Sequence, residues 1–333
     1  MKEESYDITI IGAGPVGLFT AFYAGMRNVS VKVIDALPQV GGQLAALYPE
    51  KYIYDVGGFP DIKAQDLVDR LYQQAEKFSP SYCLEESVER VVPFENGTFQ
   101  LITDKKVHYT KAIIITAGAG AFQPRKLKVK EASNYENNCL HYSVKELKKF
   151  RDKNVLVCGG GDSAVDWALA LERIAKKVTL VHRRNNFRSH EHSLNLLKDS
   201  RVDVKTPYQV ERIIGNNNVI NQVFIQEVKG NNYHFLDIDD LIINYGFVTS
   251  IGPMKSWGIN LEKNSIKVNA HMETSVPGIF AAGDVCSYEG KTKLIASGFG
   301  EAPTAVNYAK KRIDPESRLQ AGHSTSIFAS AGK

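Results

Sequence analysis

Two glycine-rich segments hold the residues of this 333-residue chain whose types and spacing could do chemistry. The first, at residues 12–17, reads G-x-G-x-x-G and contains Gly12, Gly14, Pro15 and Gly17. Such a segment makes a tight turn, lets a pyrophosphate approach the backbone and lets the next helix begin close to a strand. Asp35 follows at the distance of about 20 residues where such motifs carry an acid, which can accept hydrogen bonds from a ribose without a 2′-phosphate.

The second segment, at residues 159–164, repeats this arrangement as G-x-G-x-x-A. A lone motif of this kind is weak evidence, but here strand, glycines, helix and strand follow in order twice, which favours dinucleotide binding at both segments. The residues of the second segment that we expect to contact a dinucleotide are Gly159, Gly161, Asp162, Ser163 and Ala164.

The position equivalent to Asp35 after the second segment is His182, and Arg183, Arg184 and Arg188 follow it. A carboxylate there would repel a 2′-phosphate, whereas guanidinium groups bind a phosphate through charge-assisted and often bidentate hydrogen bonds. The second segment is therefore expected to bind NADPH rather than NADH.

The acid after the first segment fits both FAD and NAD, because the adenosine ribose of each lacks a 2′-phosphate. Two nicotinamide nucleotides would have little to do together, whereas FAD beside NADPH allows hydride transfer between them. The apolar run that ends at Gly283 and Asp284 also favours FAD. A carboxylate and a helix N-terminus at that point could face the ribityl chain and the pyrophosphate.

The elements that must position these residues alternate between strand and helix, which predicts an α/β fold with two Rossmann-like (three-layer ββα) nucleotide-binding domains. Helices are predicted at about residues 15–24 and 163–175. Asparagine-rich tips predict hairpins between strands at 210–214, 219–228 and 233–238. Buried strands are predicted at residues 6–11, 29–34, 112–116, 154–158, 178–181 and 241–246.

The order of these motifs along the chain predicts a discontinuous first domain, because Asp284 lies beyond the whole second unit. We expect an FAD-binding domain made of residues 1–116 and 247–333. The NADPH-binding domain, residues 117–246, would be inserted into it. At each of the two points where the chain would pass from one domain to the other, the sequence has an apolar strand that ends in glycine.

Composition excludes several other classes of protein. Hydrophobic residues make up 43% and charged residues 23%, the balance of a soluble globular protein, and no apolar run is long enough for a transmembrane helix. The N-terminal residues lack the features of a signal peptide, so we expect a cytoplasmic protein. A net charge of +4 is too small to indicate nucleic-acid binding. The four cysteines form no C-x-x-C pair, and no metal site is expected.

When further motifs are considered together with the two glycine-rich segments, the sequence resembles the thioredoxin-reductase-like ferredoxin–NADP⁺ reductases of bacteria over essentially its full length. Many flavin disulfide reductases share the paired nucleotide motifs, whereas the segment around Tyr48 and the tail around His323 are far more restricted. The motifs that carry the resemblance are residues 12–17, 41–44, 46–49, 159–164, 182–184, 283–284 and 322–326.

The resemblance implies a flavin disulfide reductase-like homodimer without the redox disulfide, which uses FAD and NADPH and has ferredoxin or flavodoxin as its partner. It places Tyr48 on one face of the flavin ring and His323, from the tail of the other subunit, on the opposite face. We expect both to act by stacking, and no side chain to act as an acid or base in hydride transfer. The other implied FAD contacts are Asp35, Gln43, Val88, Phe122, Asp284 and Thr325.

A missing cysteine decides the expected electron acceptor. Cys139 lies where a thioredoxin reductase would carry its C-x-x-C, but the second cysteine is absent. Electrons are therefore expected to leave the flavin directly for a one-electron acceptor. Two alternatives stay open: a thiol or disulfide reductase that uses Cys139 with an external thiol, and a non-enzymatic flavin redox sensor.

The sequence leaves open the identity of the acceptor, the direction of electron flow and the pathway served. It also does not locate the docking surface. Five basic residues are candidates for contact with an acidic partner: Lys291, Lys293, Lys310, Lys311 and Arg312.

Overall fold

Apolar runs rich in valine and isoleucine form the central strands, as the sequence predicts. The computed structural model describes residues 5–136, 138–320 and 322. The α-helices of that part of the chain are α1 (Pro15–Met26), α2 (Gly42–Leu47), α3 (Ala64–Glu76), α4 (Asp162–Glu172), α5 (Glu191–Lys198) and α6 (Ile295–Ile313). Short 3₁₀ helices lie at Ala132–Asn134, Leu147–Phe150 and Gly252–Ser256.

The strands follow in chain order. Those before the second glycine segment are β1 (Ser5–Ile11), β2 (Val31–Ile34), β3 (Tyr52–Ile53), β4 (Ile62–Lys63), β5 (Ser81–Cys83), β6 (Val88–Pro93), β7 (Phe99–Thr103), β8 (Val107–Ile115), β9 (Ala121–Pro124), β10 (Leu140–His141) and β11 (Asn154–Cys158). Those after it are β12 (Lys177–Val181), β13 (Asp203–Lys205), β14 (Tyr208–Asn216), β15 (Val219–Glu227), β16 (Tyr233–Asp237), β17 (Asp240–Ile243), β18 (Phe247–Ser250), β19 (Leu261–Glu262), β20 (Ser265–Lys267), β21 (Ile279–Ala281) and β22 (Cys286–Ser287).

The chain divides into two units. The first comprises Met1–Phe122 and Thr249–Lys333, and the second comprises Gln123–Val248. The chain passes between them in β9 and β18, which pair with each other. The functional division of the chain at residues 116/117 and 246/247 stays a prediction.

The first unit is built on a seven-stranded sheet in the order β5-β2-β1-β8-β7-β6, in which β21 also pairs with β8. Pairing is parallel from β5 to β8 and between β8 and β21, and antiparallel between β8, β7 and β6. Ile10 in β1 and Ile114 in β8 are completely buried. A parallel sheet is covered on both faces, so these strands read as continuous apolar runs.

Strand β8 is longer than the run predicted at residues 112–116. Its first half pairs antiparallel with β7, and its second half pairs with β21. The first half, VHYT, alternates between exposed and buried residues, because a strand in antiparallel pairing needs only one buried face. The apolar run therefore marks only the half of β8 that lies between two parallel strands, β1 and β21.

The second unit is built on five parallel strands in the order β10-β17-β11-β12-β13. The register pairs Cys158 with Val181 and with Ile243, so the loops after β11, β12 and β17 leave the sheet at one edge. A three-stranded antiparallel sheet, β14-β15-β16, completes this unit and confirms the predicted hairpins.

The helices in the described part of the chain were compared with the requirements for crossing a membrane. None of these helices combines the length and the apolar character that crossing a membrane requires.

Candidate functional site

A cavity of about 370 Å³ lies at the carboxyl edge of the main sheet in the first unit. Strands β1, β2, β8 and β21 are parallel and in register, so the loops that follow them meet at this edge. The structure brings eight of the predicted residues together here. They are Gly12, Gly14, Pro15, Asp35, Gln43, Tyr48, Val88 and Asp284.

Backbone contacts explain the glycines of the first glycine turn, residues 12–17. Gly12 has a φ of +111°, and a Cβ on Gly17 would overlap the carbonyl oxygen of Gly12. Gly17 is buried and is absent from the cavity wall; it lets α1 begin close to β1. Pro15 lies in the first turn of α1, which contains no acid. The first N–H groups of α1 and its positive dipole end can therefore receive a phosphate.

Two backbone N–H groups hold the carboxylate of Asp35 at the end of β2. The N–H of Ala13 donates to Oδ2 over 2.6 Å, and the N–H of Leu37 donates to Oδ1 over 2.8 Å. Burial raises the pKa of Asp35, and these two hydrogen bonds oppose that shift. Each oxygen keeps a further lone pair that can accept a hydrogen bond from a ribose hydroxyl.

Tyr48 follows α2 directly and lines the same cavity as Asp284. Burial raises the pKa of Tyr48, and the negative charge of Asp284 raises it further. The phenol is therefore neutral, and its ring can stack on a planar heterocycle.

Three residues implied by the resemblance have no described side chain. The side chain of Phe122, and all of His323 and Thr325, lie outside the described residues. Their roles stay predictions.

Sequence reasoning missed a buried polar cluster beside this cavity, which Glu86 lines. Oε1 of Glu86 lies 2.6 Å from Nε2 of His108 and accepts a hydrogen bond from the Thr103 hydroxyl over 2.7 Å. Nζ of Lys32 lies 3.1 Å from Nδ1 of His108, and an ammonium group can only donate. Hence Nε2 carries the imidazole proton. The backbone N–H of Glu86 donates to the carbonyl of Asp35, which joins the cluster to the cavity.

The same cluster contains Cys83, whose Sγ lies close enough to Glu86 and His108 for the three to share a metal ion. Two features oppose such a site. Glu86 and His108 are already in direct hydrogen-bond contact at 2.6 Å, and Lys32 places a positive charge against the other ring nitrogen. We therefore interpret the cluster as a hydrogen-bonded network rather than a metal site.

A second buried cluster holds the turn that contains Gly283 and Asp284. Glu301 on α6 is 5% exposed, and its Oε2 accepts the backbone N–H of Gly283 over 2.7 Å. Its Oε1 accepts hydrogen bonds from the Tyr288 hydroxyl, over 2.7 Å, and from the Lys291 ammonium. The side chain of Lys291 is only 6% exposed. The expectation that Lys291 contacts an acidic partner is therefore wrong, because its charge is buried against Glu301.

The carboxyl edge of the five-stranded sheet borders a cavity of about 710 Å³ within the second unit. The structure brings all nine predicted residues to this cavity: Gly159, Gly161, Asp162, Ser163, Ala164, His182, Arg183, Arg184 and Arg188. Sequence reasoning missed Tyr142, Asn244 and Tyr245, which also line it. They reach it from other strand ends, and no local motif marks them.

The positive charge of the second cavity comes from arginine rather than histidine. Burial, and then the charges of Arg183, Arg184 and Arg188, lower the pKa of His182, whose ring packs against Gly160. The three arginines are exposed. Within the described residues no acidic side chain forms an ion pair with them, so their charges remain available to an anion.

The cysteines of the chain do not form a redox pair. All four are free thiols. Cys139 is 6% exposed, and its Sγ donates to the carbonyl of Asn218 and accepts the N–H of Ile220, each over 3.3 Å. Burial, above all, raises the pKa of Cys139, so the thiol is protonated and a poor nucleophile. This geometry argues against a thiol-based reductase.

The model of the pyridine nucleotide-disulphide oxidoreductase family matches residues 6–309 of this chain. The chain belongs to this family.

Among its relatives, a ferredoxin–NADP reductase of Halalkalibacterium halodurans is 61% identical over 98% of this chain and 99% of that protein. A ferredoxin–NADP reductase of Geobacillus thermodenitrificans is 58% identical over 97% of each chain. Ferredoxin–NADP reductase 2 of Listeria monocytogenes is 59% identical over 98% of this chain and 99% of that protein. The resemblance inferred from the sequence motifs is confirmed.

Solved structures with the same fold include two thioredoxin reductases. The enzyme from Lactococcus lactis is 27% identical, with a TM-score of 0.78 over 92% of this chain and 99% of that one. The enzyme from T. acidophilum is 26% identical, with a TM-score of 0.79 over 95% of this chain and 100% of that one. The predicted α/β fold with two Rossmann-like domains is confirmed.

The buried Glu86–His108 pair predicts that stability falls as the pH drops below about 6.5. Burial lowers the pKa of His108 below its ordinary 6.5, so the unfolded chain takes up a proton there while the folded chain resists it. Burial raises the pKa of Glu86, but hydrogen bonds from His108 and Thr103 together with nearby positive charge lower it below its ordinary 4.5, which acts in the same direction at lower pH. Thermal unfolding of the wild type and of His108→Gln between about pH 7.5 and 5.5 tests this. Over this pH range the unfolding temperature of the variant should fall less than that of the wild type. Equal falls would contradict the assignment of this pH dependence to His108.

Proposed function

We propose that this protein is an NADPH-dependent flavoprotein reductase that takes a hydride from NADPH onto FAD and passes the electrons to ferredoxin or flavodoxin. One observation carries the proposal: a single chain has two cavities at glycine-rich turns, one lined by the acid Asp35 and one lined by Arg183 and Arg184. Membership of the oxidoreductase family supports it. In this proposal residues 1–116 and 247–333 bind FAD, and residues 117–246 bind NADPH.

The first cavity suits the different ends of FAD. Asp35 offers carboxylate oxygens to a ribose, and the open start of α1 behind Gly14 suits the pyrophosphate. Tyr48, Trp257 and Ile295 supply an apolar wall for a ring system. We assign FAD binding to Gly12, Gly14, Pro15, Gly17, Asp35, Gln43, Tyr48, Val88 and Asp284, and, on the resemblance, to Phe122, His323 and Thr325.

The second cavity suits NADPH. The second glycine turn, residues 159–164, leads into α4, whose N-terminus, like that of α1, has no side-chain cap and offers N–H groups to a pyrophosphate; unlike α1, α4 carries an acid, Asp162, in its first turn. Arg183, Arg184 and Arg188 provide guanidinium groups for a 2′-phosphate.

Binding and orientation are the tasks of the protein in this reaction. When bound, NADPH supplies a hydride and FAD accepts it and can release the electrons singly. Tyr48 would orient the flavin by stacking, and Asp284 would hold its ribityl side. Neither is expected to transfer a proton: the raised pKa of Tyr48 keeps its phenol protonated. Rate enhancement would therefore come from holding the two nucleotides in reacting position.

The arrangement of the cysteine thiols indicates the class of electron acceptor. A dithiol acceptor needs two neighbouring cysteines, and the four thiols of this chain are isolated in sequence. A one-electron protein such as ferredoxin or flavodoxin fits a flavin without a disulfide. Relatives more than half identical to this chain carry the name ferredoxin–NADP reductase, which favours ferredoxin.

Three further features belong to the proposal, and the first of them rests on the resemblance. We propose a homodimer in which the tail around His323 covers the flavin of the neighbouring subunit, and a cytoplasmic location. Among the basic residues, Lys293 is exposed and remains a candidate contact for an acidic partner. Lys310 forms an ion pair with Asp314 at 3.4 Å, and Lys311 and Arg312 bond to backbone carbonyls, so these three are weaker candidates.

Rapid mixing of the purified protein with NADPH, and then with oxidised ferredoxin, tests the proposed function. The flavin absorbance should bleach after the first mixing, and ferredoxin should be reduced after the second while the flavin colour returns. Protein that purifies without flavin and cannot be reconstituted with it would overturn the proposal. So would flavin that NADPH reduces but that leaves both ferredoxin and flavodoxin oxidised.

The Cys139→Ala variant separates the proposal from a thiol-based reductase. The thiol is buried, hydrogen-bonded and protonated, so ferredoxin reduction by the variant should stay within about twofold of the wild type. Flavin reduction by NADPH is the matching control. Ferredoxin reduction that disappears while flavin reduction persists would favour the thiol mechanism.

The pair of changes Arg183→Ala and Arg184→Ala should weaken NADPH binding far more than NADH binding. Each lost charge-assisted hydrogen bond is worth about 1.5–3 kcal/mol, so KM for NADPH should rise by about tenfold or more. Steady-state kinetics with both nucleotides and an artificial electron acceptor gives the comparison. Equal losses for NADPH and NADH would contradict the assignment of the 2′-phosphate to these arginines.

A further inference from the structure

Asp162, the first residue of α4, connects the second glycine turn to the residues that follow β12. We call residues 183–190 the arginine segment. Oδ1 of Asp162 accepts a hydrogen bond from the hydroxyl of Ser189 over 3.0 Å and one from the backbone N–H of His190 over 2.9 Å. Its carboxylate is thus engaged by the far end of the arginine segment.

The arginine segment has a second attachment to the glycine turn. The backbone N–H of Arg188 donates to the carbonyl of Gly160 over 2.6 Å, and Gly161 and Arg188 form an isolated parallel bridge. At its near end the segment continues from β12, which the sheet holds. The segment is therefore fixed at both ends, and the far end depends on Gly160 and Asp162.

We propose that Asp162 is a positioning residue for the choice of NADPH over NADH. Its carboxylate holds the arginine segment against the glycine turn, so that Arg183, Arg184 and Arg188 reach one phosphate together. The inference rests on the proposed function, because that function assigns NADPH to this cavity. It differs from the sequence-based expectation, in which Asp162 contacts the nucleotide itself.

Whether removal of the Asp162 carboxylate strengthens or weakens NADPH binding separates a positioning role from a purely electrostatic one. A carboxylate close to an anion site repels a phosphate, so its removal should strengthen NADPH binding if charge alone matters. Positioning predicts the opposite: without its two hydrogen bonds the arginine segment gains freedom, and ordering it again opposes binding of the 2′-phosphate.

The experiment compares two probes on the holoenzyme by calorimetry: adenosine 2′,5′-bisphosphate, which carries the 2′-phosphate, and 5′-AMP, which lacks it. For Asp162→Ala the ratio of the two affinities should fall by about five- to tenfold, the worth of one or two hydrogen bonds. Asp162→Asn keeps an oxygen acceptor, so it should hold the ratio within about twofold of the wild type.

The chain offers a matched control in Asp166, one turn further along α4. Its Oδ1 accepts a hydrogen bond from Ser193 over 3.5 Å, outside the arginine segment. Asp166→Ala removes the same charge from the same helix, so the ratio should stay the same or rise. If Asp162→Ala does not fold, Ser189→Ala removes one of the two hydrogen bonds and should lower the ratio in the same direction by a smaller factor.

Three results would overturn the inference. An unchanged or higher ratio for Asp162→Ala would show that Asp162 does not position the arginine segment, and an equal fall for Asp162→Asn would remove the role of the acceptor oxygen. A wild-type enzyme that binds both probes equally would overturn the proposed function and the inference with it. That failure is distinguishable, because it appears before any substitution is made.

Discussion

Close backbone approach between a strand end and a helix start is the constraint on which both nucleotide cavities depend. A side chain at Gly17 would overlap the carbonyl of Gly12, and a side chain at Gly159 would lie 2.9 Å from the Cβ of Ala164. Helices α1 and α4 can therefore begin directly over the ends of β1 and β11, with their first N–H groups free. Peptide groups held in this way provide a phosphate site whose geometry the sheet sets in advance.

In the proposed function, the residues that follow β2 and β12 give these similar frameworks different ligands. In the first unit two backbone N–H groups keep Asp35 in place, where a carboxylate accepts from a bare ribose and repels a phosphate. In the second unit His182 packs on Gly160 with a lowered pKa, and the arginines beside it carry the charge. In the proposed function this asymmetry decides which nucleotide each unit holds.

The sequence predicted what depends on neighbours in the chain, and it missed what depends on distant partners. The glycine turns, Asp35 and the arginines are local motifs, and the structure places them in the two cavities. The hydrogen bond from Gly283 to Glu301 joins residues on different elements, and no spacing rule marks it. Lys291 was expected at the surface for the same reason: its charge says nothing about the buried carboxylate that holds it.

Nucleotide stoichiometry is the sharpest test of whether each chain holds two separate and selective sites. FAD released from the purified protein would be counted against protein concentration, and NADP⁺ would be titrated into the FAD-loaded protein by calorimetry. One FAD and one NADP⁺ per chain, bound at the same time, are expected. Displacement of FAD by NADP⁺, or a total of one nucleotide per chain, would contradict this expectation.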